Sequence, residues 1–321
     1  MAPVSETYLK RTTLIVKDVQ RSIAFYRDVV GMKLYYDQPM TVGGKIIPAG
    51  VPGAKVHLGI MEGNHPDVAK LGLLQWIDPA LEEPTTPYRT RMGIGDIVIV
   101  TETPDIKGLH ERLLKSPDCR IHCPPHDWSV PTPDGKGRIE LTTLSFFDPD
   151  GYFFEVNHKR NMPNLDRFGV RRTTLIVRNI DVSVSFYQDI MGMEMWYDQT
   201  MTVGGQVLPA GVPGAKVRVA ILKGADSAVG MFGLMSFLDP PIETPPLPKR
   251  PLRIGDAVFV AHAIDVNAIH ARMAGAPCHI CCPPSDDSVT AANGATLKLT
   301  TMSFFDPDGY FFELNTRRAI T

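Results

Sequence analysis

Residues 11–56, RTTLIVKDVQRSIAFYRDVVGMKLYYDQPMTVGGKIIPAGVPGAKV, return as residues 172–217, RTTLIVRNIDVSVSFYQDIMGMEMWYDQTMTVGGQVLPAGVPGAKV. Extending the comparison to 11–80 against 172–241 needs no gap, and 36 of 70 positions are identical. A second pair follows in each copy: LTTLSFFDPDGYFFEVN at 141–157 and LTTMSFFDPDGYFFELN at 299–315. Repeats this long are duplicated domains rather than solenoid units, because each can bury a core of its own. The chain length of 321 residues agrees with two domains. The duplication is also an internal comparison: a proposed site must make sense in both copies, or one copy must have lost it.

Inside each copy the pattern starts twice. RTTLIVKDV reads as a strand by its β-branched, apolar run. Ile23, Phe25, Tyr26, Val29 and Val30 then fall at helical spacing, and Gly31 stops the helix. KLYYDQ, KIIPAG, KVHLGIM and GLLQWID read as strands separated by Gly and Pro. From Gly95 the series restarts with the strand DIVIVTET, a helix over Ile106–Leu114 and further strands around the DPDG turn. The expected class is therefore α+β, with four strand–helix–strands modules at about 8–80, 93–158, 171–241 and 252–318. The copies are read as domains 1–158 and 171–321, joined by a polar linker at 159–170. Segments 79–87 and 240–251 join the two modules of each copy.

Composition excludes several classes. Hydrophobic residues make up 44% and charged residues 21%, with 33 basic side chains against 35 acidic ones. That balance leaves no electrostatic footprint for nucleic acid. No apolar run approaches a membrane span, and the N-terminus lacks a signal-type apolar region. Five cysteines, an odd count, point to a reduced, cytoplasmic protein. CRIHCPPHD (119–127) offers His122, Cys123 and His126 as zinc ligands, but the second copy reads CHICCPPSD (278–286), with Ser285 in place of His126. Zinc needs about four convergent ligands, so this cluster is set aside. His110 and His270, in LHERL and IHARM, are read as helix-surface residues.

RTTLIVKDVQRSIAFYRDVVGM resembles the opening of the vicinal oxygen chelate superfamily, which includes glyoxalase I, type I extradiol dioxygenases and bleomycin-resistance proteins, and FFDPDGYFFE resembles its final hairpin. The resemblance implies βαβββ modules, two to each bowl-shaped half-barrel, hence two bowls. Whether a bowl pairs modules within or between copies stays open. The family holds a divalent metal in the bowl, and its first-strand ligand aligns here with Arg11 and Arg172. Arginine has no lone pair to give. The last-strand ligand is retained as Glu155 and Glu313. The middle ligand aligns with Asp96 and Asp256, or with Val98 and Val258, depending on the reference used. The carboxylate of glyoxalase I aligns with Gln75 and Ser236.

The expected design is an arginine–carboxylate pair, Arg11 with Glu155 in the first copy, standing where the metal charge would be. No cofactor is predicted, although a weakly bound divalent metal on the carboxylates stays open. The catalytic candidates are Arg11, Asp96, Glu155, Arg172, Asp256 and Glu313. Tyr36, Gln38, Gln75, Phe153, Tyr197, Gln199 and Phe311 are candidates for substrate contact, and the retained MTVGG…PAGVPGAKV stretch for a wall or lid. The leading expectation is a metal-independent lyase or isomerase in which Arg stabilises an oxyanion and a carboxylate moves a proton. Its substrate would be a small apolar or aromatic carbonyl, carboxylate or phenol compound. The alternatives are a bleomycin-resistance-like binder and an atypical metal-dependent dioxygenase or glyoxalase. The expected partner is a small molecule, with neither nucleic acid nor membrane, and the state a monomer or homodimer.

Overall fold

The computed structural model describes residues 5–48, 51–65, 68–82, 92–132, 134–203, 205–209, 212–223, 230–243, 252–290 and 296–317. Most of the segments expected to join the modules, 79–87 and 240–251, lies outside the described residues. Module 1 is β1 (Thr7–Ile15), α1 (Val19–Ala24), β2 (Lys33–Thr41), β3 (Lys55–Glu62) and β4 (Lys70–Asp78). Module 2 is β5 (Ile97–Glu102), α2 (Ile106–Lys115), β6 (Arg120–Pro131), β7 (Arg138–Phe147) and β8 (Phe153–Lys159). Module 3 is β9 (Gly169–Ile176), α3 (Ile180–Ser185), β10 (Glu194–Val203), β11 (Ala215–Lys223) and β12 (Met231–Asp239). Module 4 is β13 (Ala257–Ala263), α4 (Val266–Arg272), β14 (His279–Thr290), β15 (Thr296–Phe305) and β16 (Phe311–Arg317).

The helices begin where the sequence supplies a cap. Asp18 accepts from the Gln20 and Arg21 amides, and Asn179 from those of Asp181 and Val182, satisfying donors that a helix start leaves open. Beyond α1 the chain continues in wider turns over Phe25–Val30 and ends at Gly31, whose φ of 92° suits glycine. KIIPAG is not a strand: residues 45–48 lie between β2 and β3 in the long loop, because Pro48 and the flanking glycines interrupt pairing.

The strands form two curled sheets of eight, ordered β14-β15-β16-β13-β1-β4-β3-β2 and β10-β11-β12-β9-β5-β8-β7-β6. Module 1 thus pairs with module 4, and module 2 with module 3. The pairing that the sequence leaves open is therefore crossed, with each copy donating one module to each bowl. The seams are antiparallel, β1 on β13 and β5 on β9.

Within a copy, modules meet through the DPDG turns instead. Tyr26 of α1's continuation donates its hydroxyl to Asp148, and Tyr187 does the same to Asp306 at 2.6 Å. The Tyr152 hydroxyl sits between the carbonyl oxygens of Ile15 (2.9 Å) and Asp256 (2.6 Å), bracing the 1–4 seam from the opposite sheet. Tyr310 braces the 2–3 seam in the same way at Asp96 and Ile176. Thr12 and Thr173, equivalent residues of the two copies, share a hydrogen bond of 2.7 Å. Equivalent residues can touch in this way only near the local twofold axis relating the copies. One large apolar core draws on all four modules, while the concave faces carry two smaller clusters.

Candidate functional site

The concave face of the 2–3 bowl encloses a cavity of about 380 Å³ with mostly apolar walls, including Trp128, Val130, Trp196, Tyr197, Met201 and Met235. Arg172, Glu155 and Asn157 lie among its polar lining. The seam register explains their meeting: Val100 pairs with Arg172 on one side and with Glu155 on the other. In the 1–4 bowl Val260 lies between Arg11 and Glu313 in the same way. The carboxylate acting on Arg11 is accordingly Glu313, and the one acting on Arg172 is Glu155. The Arg11–Glu155 pairing expected from a closed first copy is corrected by the crossed modules.

Each arginine is anchored at one end. Arg172 Nε donates to Thr174 Oγ1 at 3.2 Å, and Arg11 Nε to Thr13 Oγ1 at 2.8 Å. Those threonines need glycine beside them, since a Cβ at Gly233 or Gly72 would overlap the hydroxyl. Among the described residues no direct ion pair joins Arg172 to Glu155 or Arg11 to Glu313, so the terminal guanidinium nitrogens are not spent on a carboxylate. Burial pulls Arg172 below its ordinary pKa, Glu155 pushes it back, and neighbouring Arg171 adds to the fall. It remains a cation, because an arginine starts so high.

Glu155 is held by a directed chain. The Trp128 indole, a donor only, gives its N–H to Thr143 Oγ1 at 2.6 Å. Thr143 must then use its single proton on Asn157 Oδ1, and Asn157 Nδ2 donates to Glu155 Oε1 at 2.8 Å. The direction of the chain makes Oε1 an acceptor and leaves Oε2 outside it. The 1–4 bowl keeps Thr301, Asn315 and Glu313 in the same order but has Asp287 where Trp128 stands.

A bulge supplies a second cation. Pairing jumps from Arg172 to Val170, so Arg171 is an extra residue in β9, and Lys10 is the extra residue in β1. Bulges re-aim side chains, and Arg171 lines the cavity next to Arg172. Arg171 Nε lies 3.6 Å from Glu102 Oε2, which also takes Lys159 Nζ at 3.0 Å. Glu102, 2% exposed, accepts the Leu165 amide through its other oxygen at 2.6 Å.

Described residues of the loop after β10 contribute to the wall of this bowl. Gly205, Gln206, Val207 and Leu208 line the cavity, Ser145 Oγ donates to the Val207 carbonyl at 2.7 Å, and the Met92 amide donates to that of Pro209 at 2.8 Å. Met201, Thr202, Val203 and Gly205 of the retained MTVGG stretch line the cavity in this bowl.

Several sequence candidates lie elsewhere. Asp96 and Asp256 accept the Gly93 and Arg253 amides at 2.7 and 2.9 Å, forming the turns that lead into β5 and β13. The residues that the register sets between the arginine and the glutamate are Val100 and Val260, two residues beyond Val98 and Val258. Gln75 accepts the Val19 amide at 3.0 Å and so caps α1 from outside the bowl. Gln38 and Gln199 are exposed near the free edges. Tyr197 lines the cavity, Tyr36 lies close enough to Arg11 to act on its charge, and Phe153 and Phe311 are buried in the concave apolar clusters. The residues not anticipated were Glu102, Arg171, Lys159, Trp128, Asn157 and, as a wall residue, His126. The one sequence signal was the consecutive basic pair, Lys10–Arg11 and Arg171–Arg172, repeated in both copies.

For metal binding, the seam offers arginine, valine and one glutamate in each bowl. No group of three or more His, Cys, Asp or Glu side chains among the described residues is placed to hold an ion.

Four βαβββ modules joined into two half-barrels, with an arginine and a glutamate flanking a valine at each seam, define a duplicated bowl protein. The chain belongs to the Glyoxalase/Bleomycin resistance protein/Dioxygenase superfamily, whose family model matches residues 8–156 and 169–314. Glyoxalase I from Zea mays is similar in fold, with 19% identity, a TM-score of 0.58 and coverage of 97% of this chain and 92% of that one. A point mutant of the same maize protein gives 18%, 0.59, 97% and 94%. A candidate dioxygenase from Bacillus subtilis gives 14%, 0.54, 99% and 87%. No curated protein sequence matches significantly. Identities this low show a shared fold and leave the chemistry to the site. No helix among the described residues is long and apolar enough to cross a membrane.

Proposed function

We propose that the protein is a metal-independent lyase or isomerase acting on a small apolar or aromatic carbonyl, carboxylate or phenol compound, with the 2–3 bowl as its reaction chamber. The observation carrying this reading is Arg172, anchored through Nε and set beside Glu155 across Val100 in an apolar cavity. A terminal guanidinium nitrogen would hold the substrate oxygen. Glu155 Oε2, the oxygen outside the Trp128–Thr143–Asn157 chain, would take a proton from the adjacent carbon. In a carbonyl substrate the C–H electron pair forms a carbon–carbon double bond while the carbonyl π pair moves onto the oxygen facing Arg172. The proton then returns to another carbon in an isomerisation, or a leaving group departs in a lyase reaction.

The donor set does not suit a divalent cation at this position. Arg172 repels it, Val100 has no lone pair, and Glu155 alone is one carboxylate. No step is therefore assigned to a metal.

The test uses phenylpyruvate in D2O, following deuterium entry at the benzylic carbon above the uncatalysed rate. Chelator-treated protein is expected to catalyse exchange, and folded Arg172→Met and Glu155→Gln are each expected to lose about 100-fold or more. Unchanged exchange in both variants would reject the reading. Exchange that requires added iron, manganese, nickel or zinc would instead favour metal chemistry, and binding without exchange would favour sequestration.

A further inference from the structure

We propose that the 2–3 bowl is selective for aromatic monoanions over dianions, and that Glu102 sets this limit. The inference rests on the proposed role of Arg172 as the group that holds the ligand's anion. Among the described lining residues the cations are Lys159, Arg171 and Arg172 and the carboxylates are Glu102 and Glu155, three against two, a net +1. One negative charge on the ligand therefore neutralises the cavity. A second would leave an uncompensated charge among mostly apolar walls, which solvate it less well than water does.

The bulge makes this limit necessary. By turning Arg171 toward the cavity beside Arg172 it creates a two-cation patch, which alone would welcome a dianion. Glu102 is placed to cancel that second cation. Its Oε2 lies 3.6 Å from Arg171 Nε and 3.0 Å from Lys159 Nζ, while Oε1 is fixed by the Leu165 amide at 2.6 Å. A carboxylate so buried and so fixed does not swing away to make room for a ligand's charge.

The glutamate that sets this limit has no counterpart at the equivalent register position of the other bowl. Glu102 pairs with Asn157 in the parallel register of β5 and β8, and the residue pairing with Asn315 in the other bowl is His262. The duplication thus retained the basic pair in both bowls but has a glutamate at this register position in only one.

The test is calorimetry at pH 8, where an ordinary imidazole is neutral, with three probes sharing a phenyl group. These are 3-phenylpropionate (one charge), phenylsuccinate (two charges) and 3-phenylpropanamide (none). The wild-type chain is expected to bind 3-phenylpropionate at least tenfold tighter than phenylsuccinate. Loss of that heat in Arg172→Met assigns it to the 2–3 bowl. Glu102→Gln keeps an acceptor for Leu165 and raises the net lining charge by one, so phenylsuccinate is expected to tighten at least tenfold. Equal wild-type affinity for the two acids overturns the inference while leaving the role of Arg172 intact, and so does a folded Glu102→Gln variant with unchanged preference. If the amide binds as well as 3-phenylpropionate, or Arg172→Met binds it unchanged, the role of Arg172 fails first. Should Glu102→Gln not fold by thermal melting, the wild-type comparison decides alone.

Discussion

Arg172 and Glu155 carry the proposed chemistry, yet neither is placed by its own strand alone. Thr174 holds one end of the guanidinium, Asn157 one oxygen of the carboxylate, and Trp128 fixes the direction of the chain behind it. Trp128→Phe keeps the ring and removes the donor. One hydrogen bond contributes about 1 kcal/mol net, so exchange on phenylpyruvate is expected to fall about fivefold with the melting temperature little changed. A rate equal to wild type would show that Glu155 needs no such support. At this scale the sequence was partly legible. Arg11, Arg172, Glu155 and Glu313 could be found because they occupy motif positions that the duplication repeats. Glu102 and Trp128 could not, because each differs between the copies and gains its meaning from partners on other strands. Asp96 and Asp256 accept amides in the turns before β5 and β13, a local need that counting along the chain does not show.

The element that most shapes the back of the bowls is the DPDG turn. Asp148 is pushed up to about 7 by burial, with Asp150 nearby adding to it, and Asp306 is pushed up to about 7 by burial and Asp308. An unfolded aspartate titrates near ~3.9, so between about pH 4 and 7 the folded state binds more protons than the unfolded one. Stability from this source is fully present below the unfolded value and is lost as pH rises through about 7. The loss is on the order of a few kcal/mol per aspartate. Urea unfolding from pH 5 to pH 8 is expected to show the decline, and Asp148→Asn/Asp306→Asn to flatten it. A double variant with the wild-type slope would place the pH dependence elsewhere. The turn itself was readable from Asp, Pro and Gly. The bulges at Lys10 and Arg171 were not, because an extra residue in a strand leaves no mark until its partner strand is known.

For the whole molecule, duplication does not mean two independent bowls. The seams β1–β13 and β5–β9 both run between copies, so either half alone exposes two strand edges that its partner normally covers. Residues 1–158 and 171–321 expressed separately are expected to self-associate or aggregate, and to recover a defined one-to-one complex when coexpressed. Light scattering on each half would check this, and two stable, active monomers would contradict it. The repeat made four modules legible. Their pairing was not, because the same β-branched seam strands would suit either arrangement.

The account centres on a cation supplied by the protein itself, the guanidinium of Arg172, as the group that holds the ligand's oxygen. The most direct test is a crystal structure of chelator-treated protein with 3-phenylpropionate. The prediction is a carboxylate within hydrogen-bond distance of the Arg172 terminal nitrogens, its phenyl ring against Trp196 and Tyr197. A ligand carboxylate bridged to Glu155 by a bound cation, with Arg172 turned away, would contradict it.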